Sequence, residues 1–159
     1  AGLVLYGWIL GRLTTAGWHE VALVVPYALL STVAILLHRR LIDVLAVGDD
    51  EAASLGVRAA RVRLVVVAAA TLATAAAVAV SGLIGFVGII VPHTIRLVAG
   101  PSHRLLVPLS LIGGAAFLIL ADLVARTVMA PAELPIGVIT AFFGAPFFAL
   151  VLRSSRQVA

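Results

Sequence analysis

Four charge-free apolar runs constrain this chain more than any other feature: Val21 to Leu37, Leu64 to Val80, Leu105 to Ala121 and Ile136 to Leu152. A bilayer core of about 30 Å is crossed by roughly 17 to 25 helical residues at about 1.5 Å each, and every run reaches the lower limit. With 63% of residues hydrophobic and 11% charged, against about a quarter charged in a soluble domain, the solvent that suits this composition is lipid. The expectation is an all-α polytopic transmembrane bundle, a single domain over residues 1–159. The opening Ala1-Gly-Leu-Val-Leu-Tyr-Gly-Trp8 has neither an initiating Met nor the basic start of a signal peptide, so it reads as a cut edge, the domain being truncated at its amino end.

Cysteine is absent, which excludes a disulfide framework and a thiolate metal site. All eleven basic residues are Arg and the net charge is +4; a nucleic-acid binder would gather them on one face, whereas the apolar runs keep them apart. They report orientation instead. Leu83 to Val91 is a fifth apolar segment, about half the length of a span before Pro92, His93 and Arg96 intervene. Arg and Lys collect in cytoplasmic loops. If the short segment crosses, Arg39, Arg40, Arg58, Arg61, Arg63, Arg96, Arg104, Arg153 and Arg156 lie inside and Arg12 and Arg126 outside, nine against two; if it does not, the division falls to six against five. The stronger bias predicts five crossings, a cytoplasmic loop over 38–63 and an external loop from Met129 to Pro135.

Small residues carry a second message, because helices in lipid associate by close backbone approach. Gly82, Gly85 and Gly88 recur every three residues in the short segment, and Gly137, Ala141 and Ala145 every four on the last span. Both stripes are expected on helix faces packed against protein.

Within the 38–63 loop, Gly48-Asp49-Asp50-Glu51-Ala52-Ala53-Ser54-Leu55-Gly56-Val57 has acidic residues suited to a helix amino end and a glycine suited to its termination. A two-turn helix outside the membrane follows from that pattern. Glu51-Ala52-Ala53-Ser54-Leu55-Gly56 also resembles the coupling segment of ABC importer permeases. The likeness continues through Ser81-Gly-Leu-Ile-Gly-Phe-Val-Gly-Ile-Ile-Val-Pro-His-Thr-Ile-Arg96, Ala121-Asp-Leu-Val-Ala-Arg126, Ala130-Pro-Ala-Glu-Leu-Pro-Ile-Gly-Val-Ile-Thr140 and Gly144-Ala-Pro-Phe-Phe148. In order, these resemble the signatures of the FecCD-type permeases, which import siderophore iron, cobalamin or haem across the bacterial inner membrane. Tyr6-Gly-Trp-Ile-Leu-Gly11 is similar to the family's segment before its sixth span.

The resemblance implies a type II ABC importer permease fold of ten spans, about five of them present, paired with a second permease subunit as homodimer or pseudo-dimer. It implies two cytoplasmic ATPase subunits and an extracytoplasmic binding protein, with ATP bound by the ATPase and no cofactor on this chain. Asp49, Glu51, Ala52, Leu55 and Gly56 then form the ATPase-coupling element, Ala52 and Leu55 seating in a groove of the ATPase while the acidic residues cap the helix. Arg126 matches a position that receives a glutamate of the binding protein, with Asp122, four residues earlier on the same helix face, as its local orienter. Arg12, Gly137 and Thr140 are candidates for the translocation pathway, Arg12 as a positive vestibule residue for an anionic chelate. Glu133, between Pro131 and Pro135, is expected to stiffen or cap the turn into the last helix.

His93 reads as a packing residue, and His19, His38 and His103 are too scattered to propose a metal site. No His-Glu-x-x-His, Gly-x-Ser-x-Gly or phosphate-cradling glycine loop occurs. Two rival classes are weighed. An intramembrane enzyme needs at least two of Asp122, His93 and Glu133 at one depth, and the arginine-derived orientation separates them. An ion-coupled secondary transporter needs midplane charges and no coupling helix, the opposite of this pattern.

Overall fold

The computed structural model describes residues 2–156, with side chains through residue 154; Ala1 and the side chain of Arg156 lie outside the described residues. The described chain forms seven helices: α1 (Gly2–Ile9), α2 (Trp18–Val47), α3 (Asp49–Ser54), α4 (Ala59–Ser81), α5 (Val87–Ala99), α6 (His103–Thr127) and α7 (Ile136–Arg156). Helices α2, α4, α6 and α7 are long and apolar enough to cross a membrane.

Each of these contains one of the apolar runs, but the helices do not stop where the apolar character does. Helix α2 continues from His38 to Val47 because its Arg, Leu and Ala residues favour helix and nothing breaks it before Gly48. The expected loop over 38–63 is therefore largely helical, made of the end of α2, all of α3 and the start of α4.

Helices α2 and α4 pack antiparallel. Val21 and Val24 of α2 face Ala77 and Val80 of α4 across one apolar cavity, while His38 and Leu41 face Arg61 and Val62 across another. The start of α6 lies beside the end of α2, where Asp43 bonds Ser102 and His103. The start of α7 lies at the opposite end, where the Gly137 amide donates to the Leu10 carbonyl at 3.1 Å and the Arg12 amide to Ser81 at 2.9 Å.

The fifth pass differs from the expected short helix over Leu83 to Val91. Residues 82–86 are non-helical, and the helix begins at Val87 and runs through Pro92, His93 and Arg96 to Ala99. Gly82 has φ +71, and a Cβ there would overlap the Trp8 carbonyl oxygen, so only glycine lets α4 turn against the end of α1. Phe86 caps α5 with φ 66 and lies against Gly144 of α7. The Gly82, Gly85, Gly88 stripe is thus not a helix face, since two of its members precede α5. Residues 82–102 still join the end of the bundle holding Ser81 to the end holding Asp43, so the chain makes five passes. These directions sort the arginines as the charge division requires. Arg39, Arg40, Arg58, Arg61, Arg63, Arg96, Arg104 and Arg153 lie toward one end, hereafter the basic end, and Arg12 and Arg126 toward the other.

A small core sits near the far end, where Ala121, Ala125, Ile136 and Ile139 are buried among Leu13, Ile84, Leu118, Val124 and Leu134. Elsewhere the helices expose their apolar faces, and the accessible surface is 10707 Å², against about 7,500 Å² for a compact soluble chain of this size. Lipid or further protein must cover the difference. Gly137 on α7 approaches α1 so closely that a Cβ would overlap the Leu10 carbonyl oxygen, whereas Gly88 has no such neighbour within 4 Å. Gly137→Ala should lower stability in detergent by about 1–3 kcal/mol through overpacking and Gly88→Ala should not; equal thermal unfolding of the two variants would contradict this packing.

Candidate coupling and docking sites at the two ends of the bundle

Helix α3 is short, with acidic residues at its start and a hydrogen-bonded cap at its end. Three acidic residues, Asp49, Asp50 and Glu51, occupy its first turn, where they oppose the positive end of the helix dipole. At the other end Val57 N–H donates to Ala52 C=O at 2.9 Å and Gly56 N–H to Ala53 C=O at 3.0 Å. With Gly56 at φ +74, these bonds make a Schellman cap. Asp49 straps the helix to α4 through a two-pronged pair with Arg63, at 2.6 and 3.0 Å. Ala52 was expected to meet a partner's groove together with Leu55, but it is fully buried beneath the helix, leaving no surface for a partner; Leu55 is 70% exposed and is the apolar side chain presented outward. Burial of Ala52 seats α3 on this chain, and its small size is what permits the close seat.

Above α3, three polar residues meet between α2 and the α5–α6 turn. One Asp43 carboxylate oxygen accepts from the His103 amide at 2.7 Å and lies 2.8 Å from His103 Nδ1, and the other accepts from the Ser102 hydroxyl at 2.9 Å. Arg39 donates to the Arg104 carbonyl at 3.2 Å.

At the far end, Arg126 Nε donates to Asp122 at 2.7 Å, one helical turn away. The Arg126 side chain is 44% exposed, and no other partner is recorded for its guanidinium among the described residues. Arg12 lines a groove of about 200 Å³ with Val4, Trp8, Thr15, Val80 and Ser81. Gly137 and Thr140 sit inside the chain's own packing. Thr140 is fully buried with its hydroxyl bonded to the Gly137 carbonyl, so Thr140 faces no open space in this conformation, while Gly137 is partly exposed. Glu133 is exposed in the turn before α7, while the Leu134 amide beside it donates to Ala125 at 3.1 Å. His93 packs edge-on against Phe147 of α7, with ring centroids 5.7 Å apart. His93, Asp122 and Glu133 are not gathered into one group, and the described residues hold no cluster of three His, Asp or Glu that could bind a metal.

Five passes, a capped helix outside the spans and an exposed cation at the opposite end fit one family in particular. The family model described as the FecCD transport family matches residues 3–154. The chain belongs to the FecCD transport family. The ABC transporter permease protein YvrB of Bacillus subtilis is 47% identical over 94% of this chain and 42% of its own length. The cobalamin import system permease protein BtuC of Halobacterium salinarum is 45% identical, covering 95% of this chain and 40% of its own. A metal-chelate-type ABC transporter solved in an inward-facing conformation superposes with a TM-score of 0.89 at 33% identity, over 96% of this chain and 49% of that one. This FecCD chain therefore spans less than half the length of the relatives it matches.

Reasoning from sequence missed Asp43, Ser102, His103 and Arg63. Asp43 had a visible signal: it is a lone carboxylate on the helical stretch between a span and the coupling segment. Pro101-Ser102-His103 reads as a helix start in need of a cap. Nothing in the sequence pairs the two, because they are about sixty residues apart. For the strap, Asp49→Asn should raise amide hydrogen exchange across α3 several-fold while shifting global stability by less than about 1 kcal/mol, as fits an exposed ion pair; unchanged exchange in α3 would show that the pair does not hold it.

Proposed function

We propose that this chain is the carboxy-terminal half of the permease subunit of an ATP-driven importer. It carries an organic metal chelate, a ferric siderophore, haem or cobalamin, across the bacterial inner membrane. The observation that carries the reading is α3, a capped and strapped helix that follows directly on the membrane helix α2 and presents Leu55 outward in a chain of a transport family. An ATPase that closes on ATP needs a stiff element to push, and a helix closed at its C-terminus by a Schellman cap and tied to α4 by Asp49–Arg63 moves as a unit where a loop would yield.

On this reading the basic end faces the cytoplasm, in keeping with the positive-inside rule. Leu55 seats in the ATPase, and Asp49, Glu51 and Gly56 keep the helix formed. ATP binds to two separate ATPase subunits, and this chain needs no cofactor of its own. The far end meets the binding protein. There Arg126 offers its remaining donors to a carboxylate while Asp122 holds the side chain in place. A second permease subunit, with the rest of the permease, covers the apolar faces left open by the five helices and completes the pathway. Arg12 draws an anionic chelate toward it, and Gly137 and Thr140 border it when the helices move apart. The chelate class is supported by the cobalamin named for one relative and the metal chelate named for the solved structure.

The test is uptake of labelled ferric siderophore, haem and cobalamin by the full-length permease reconstituted with its ATPase and binding protein. ATP-dependent uptake of one ligand, reduced about tenfold or more by Leu55→Arg, is expected. Arg126→Glu should instead weaken binding-protein association and make it salt-sensitive. ATP-independent uptake would replace this reading with a secondary transporter.

A further inference from the structure

Asp43 occupies the only stretch of α2 that lies between its apolar run and α3. Its carboxylate holds the start of α6 through three contacts: the His103 amide, the His103 ring and the Ser102 hydroxyl, at 2.7, 2.8 and 2.9 Å. Ser102 is the residue that would ordinarily cap α6 with its own side chain, yet it makes no such bond. Its hydroxyl turns to Asp43, and Asp43 supplies the cap from another helix. Arg39, one turn earlier on α2, adds a bond to the Arg104 carbonyl. The carboxylate is 24% exposed and the His103 side chain 26%, so water has partial access and the three bonds share one half-buried carboxylate.

The position matters mechanically. Four residues of helix, roughly 6 Å of stiff backbone, and the non-helical Gly48 separate Asp43 from α3. The clasped turn begins α6, which runs to Arg126, and ends α5, the short helix of the broken fifth pass. An element moved at α3 therefore reaches α5 and α6 first through Asp43.

We propose that Asp43, with Ser102 and His103, is the joint that carries displacement of α3 into the α5–α6 hairpin, making Asp43 a positioning residue for coupled transport. This rests on the importer reading above. A joint of this kind is more than a fold anchor, and the two are separable. If the clasp only anchored the fold, opening it would lower stability and leave the ligand moved per ATP unchanged. If it transmits, opening it leaves the ATPase running while transport falls behind.

The experiment uses Asp43→Ala, which removes all three contacts without disturbing the helix, and the milder Ser102→Ala, in the reconstituted transporter. Amide exchange at His103 should rise in Asp43→Ala. Ligand moved per ATP should fall about tenfold, a size ordinary for coupling between sites, with ATP hydrolysis retained. Ser102→Ala should show a smaller fall of the same kind, and the double variant should lose no more than Asp43→Ala alone. An unchanged ratio in Asp43→Ala despite faster exchange at His103 would overturn the proposal, as would unchanged exchange. Wild type without ATP-driven uptake would instead overturn the importer reading and this inference with it, and the His103 exchange data would still tell that failure from absence of the clasp.

Discussion

Helices bathed in lipid gain almost nothing by hiding apolar side chains from one another, so a bundle of this composition depends on close backbone approach and on a few polar joints. Here the joints stand at the two ends. At the far end the carbonyls of Trp8 and Leu10 lie against Gly82 and Gly137, with amide bonds from Leu83, Gly137 and Arg12 closing the contact. At the basic end one carboxylate, Asp43, binds the start of α6. Between them the helices are largely uncovered, few residues of α2, α4 and α6 being buried and somewhat more of α7. The chain is therefore a half-open frame whose faces are made for lipid and for other protein.

The broken fifth pass follows from the same physics. Non-helical backbone within a membrane is tolerated only where protein satisfies it. Residues 82–86 meet that condition by lying against the end of α1 and the start of α7, with the Leu83 amide directed at the Trp8 carbonyl at 3.4 Å. Helix can begin only after Phe86, whose left-handed backbone is uncommon for a bulky residue and is held where Gly144 leaves room. Glycines that seemed to make a helix stripe are in part the residues that interrupt the helix.

Much of this was legible in the sequence because the strongest signals are local. Unbroken apolar runs marked the four long helices, the arginine division gave the direction of the fifth pass, and Asp49 to Gly56 marked α3 with its termination. The illegible parts have physical reasons. Helix α2 outruns its apolar run because helix propensity does not end at the lipid boundary. The Gly82 periodicity concealed a contact with Trp8 that lies more than seventy residues away in sequence. Small Ala52 and apolar Leu55 both read as outward residues until burial separates them, and only the fold brings Asp43 to His103 or Asp49 to Arg63. Family likeness singled out Arg126 with Asp122, which form an ion pair at 2.7 Å near the far end.

Ala52 is buried and Leu55 exposed, so one side of α3 is seated on this chain, and under the proposed function the other side meets an ATPase in the cytoplasm. These 159 residues hold no cysteine, so Leu55→Cys in a permease whose other half has been made cysteine-free presents a single reactive thiol. The most direct measurement is its labelling by a membrane-impermeant maleimide in cells, before and after permeabilisation, with and without the ATPase subunits. Labelling only after permeabilisation, and protection when the ATPase is present, is the predicted result. Labelling in intact cells, or none of the predicted protection, would contradict the account.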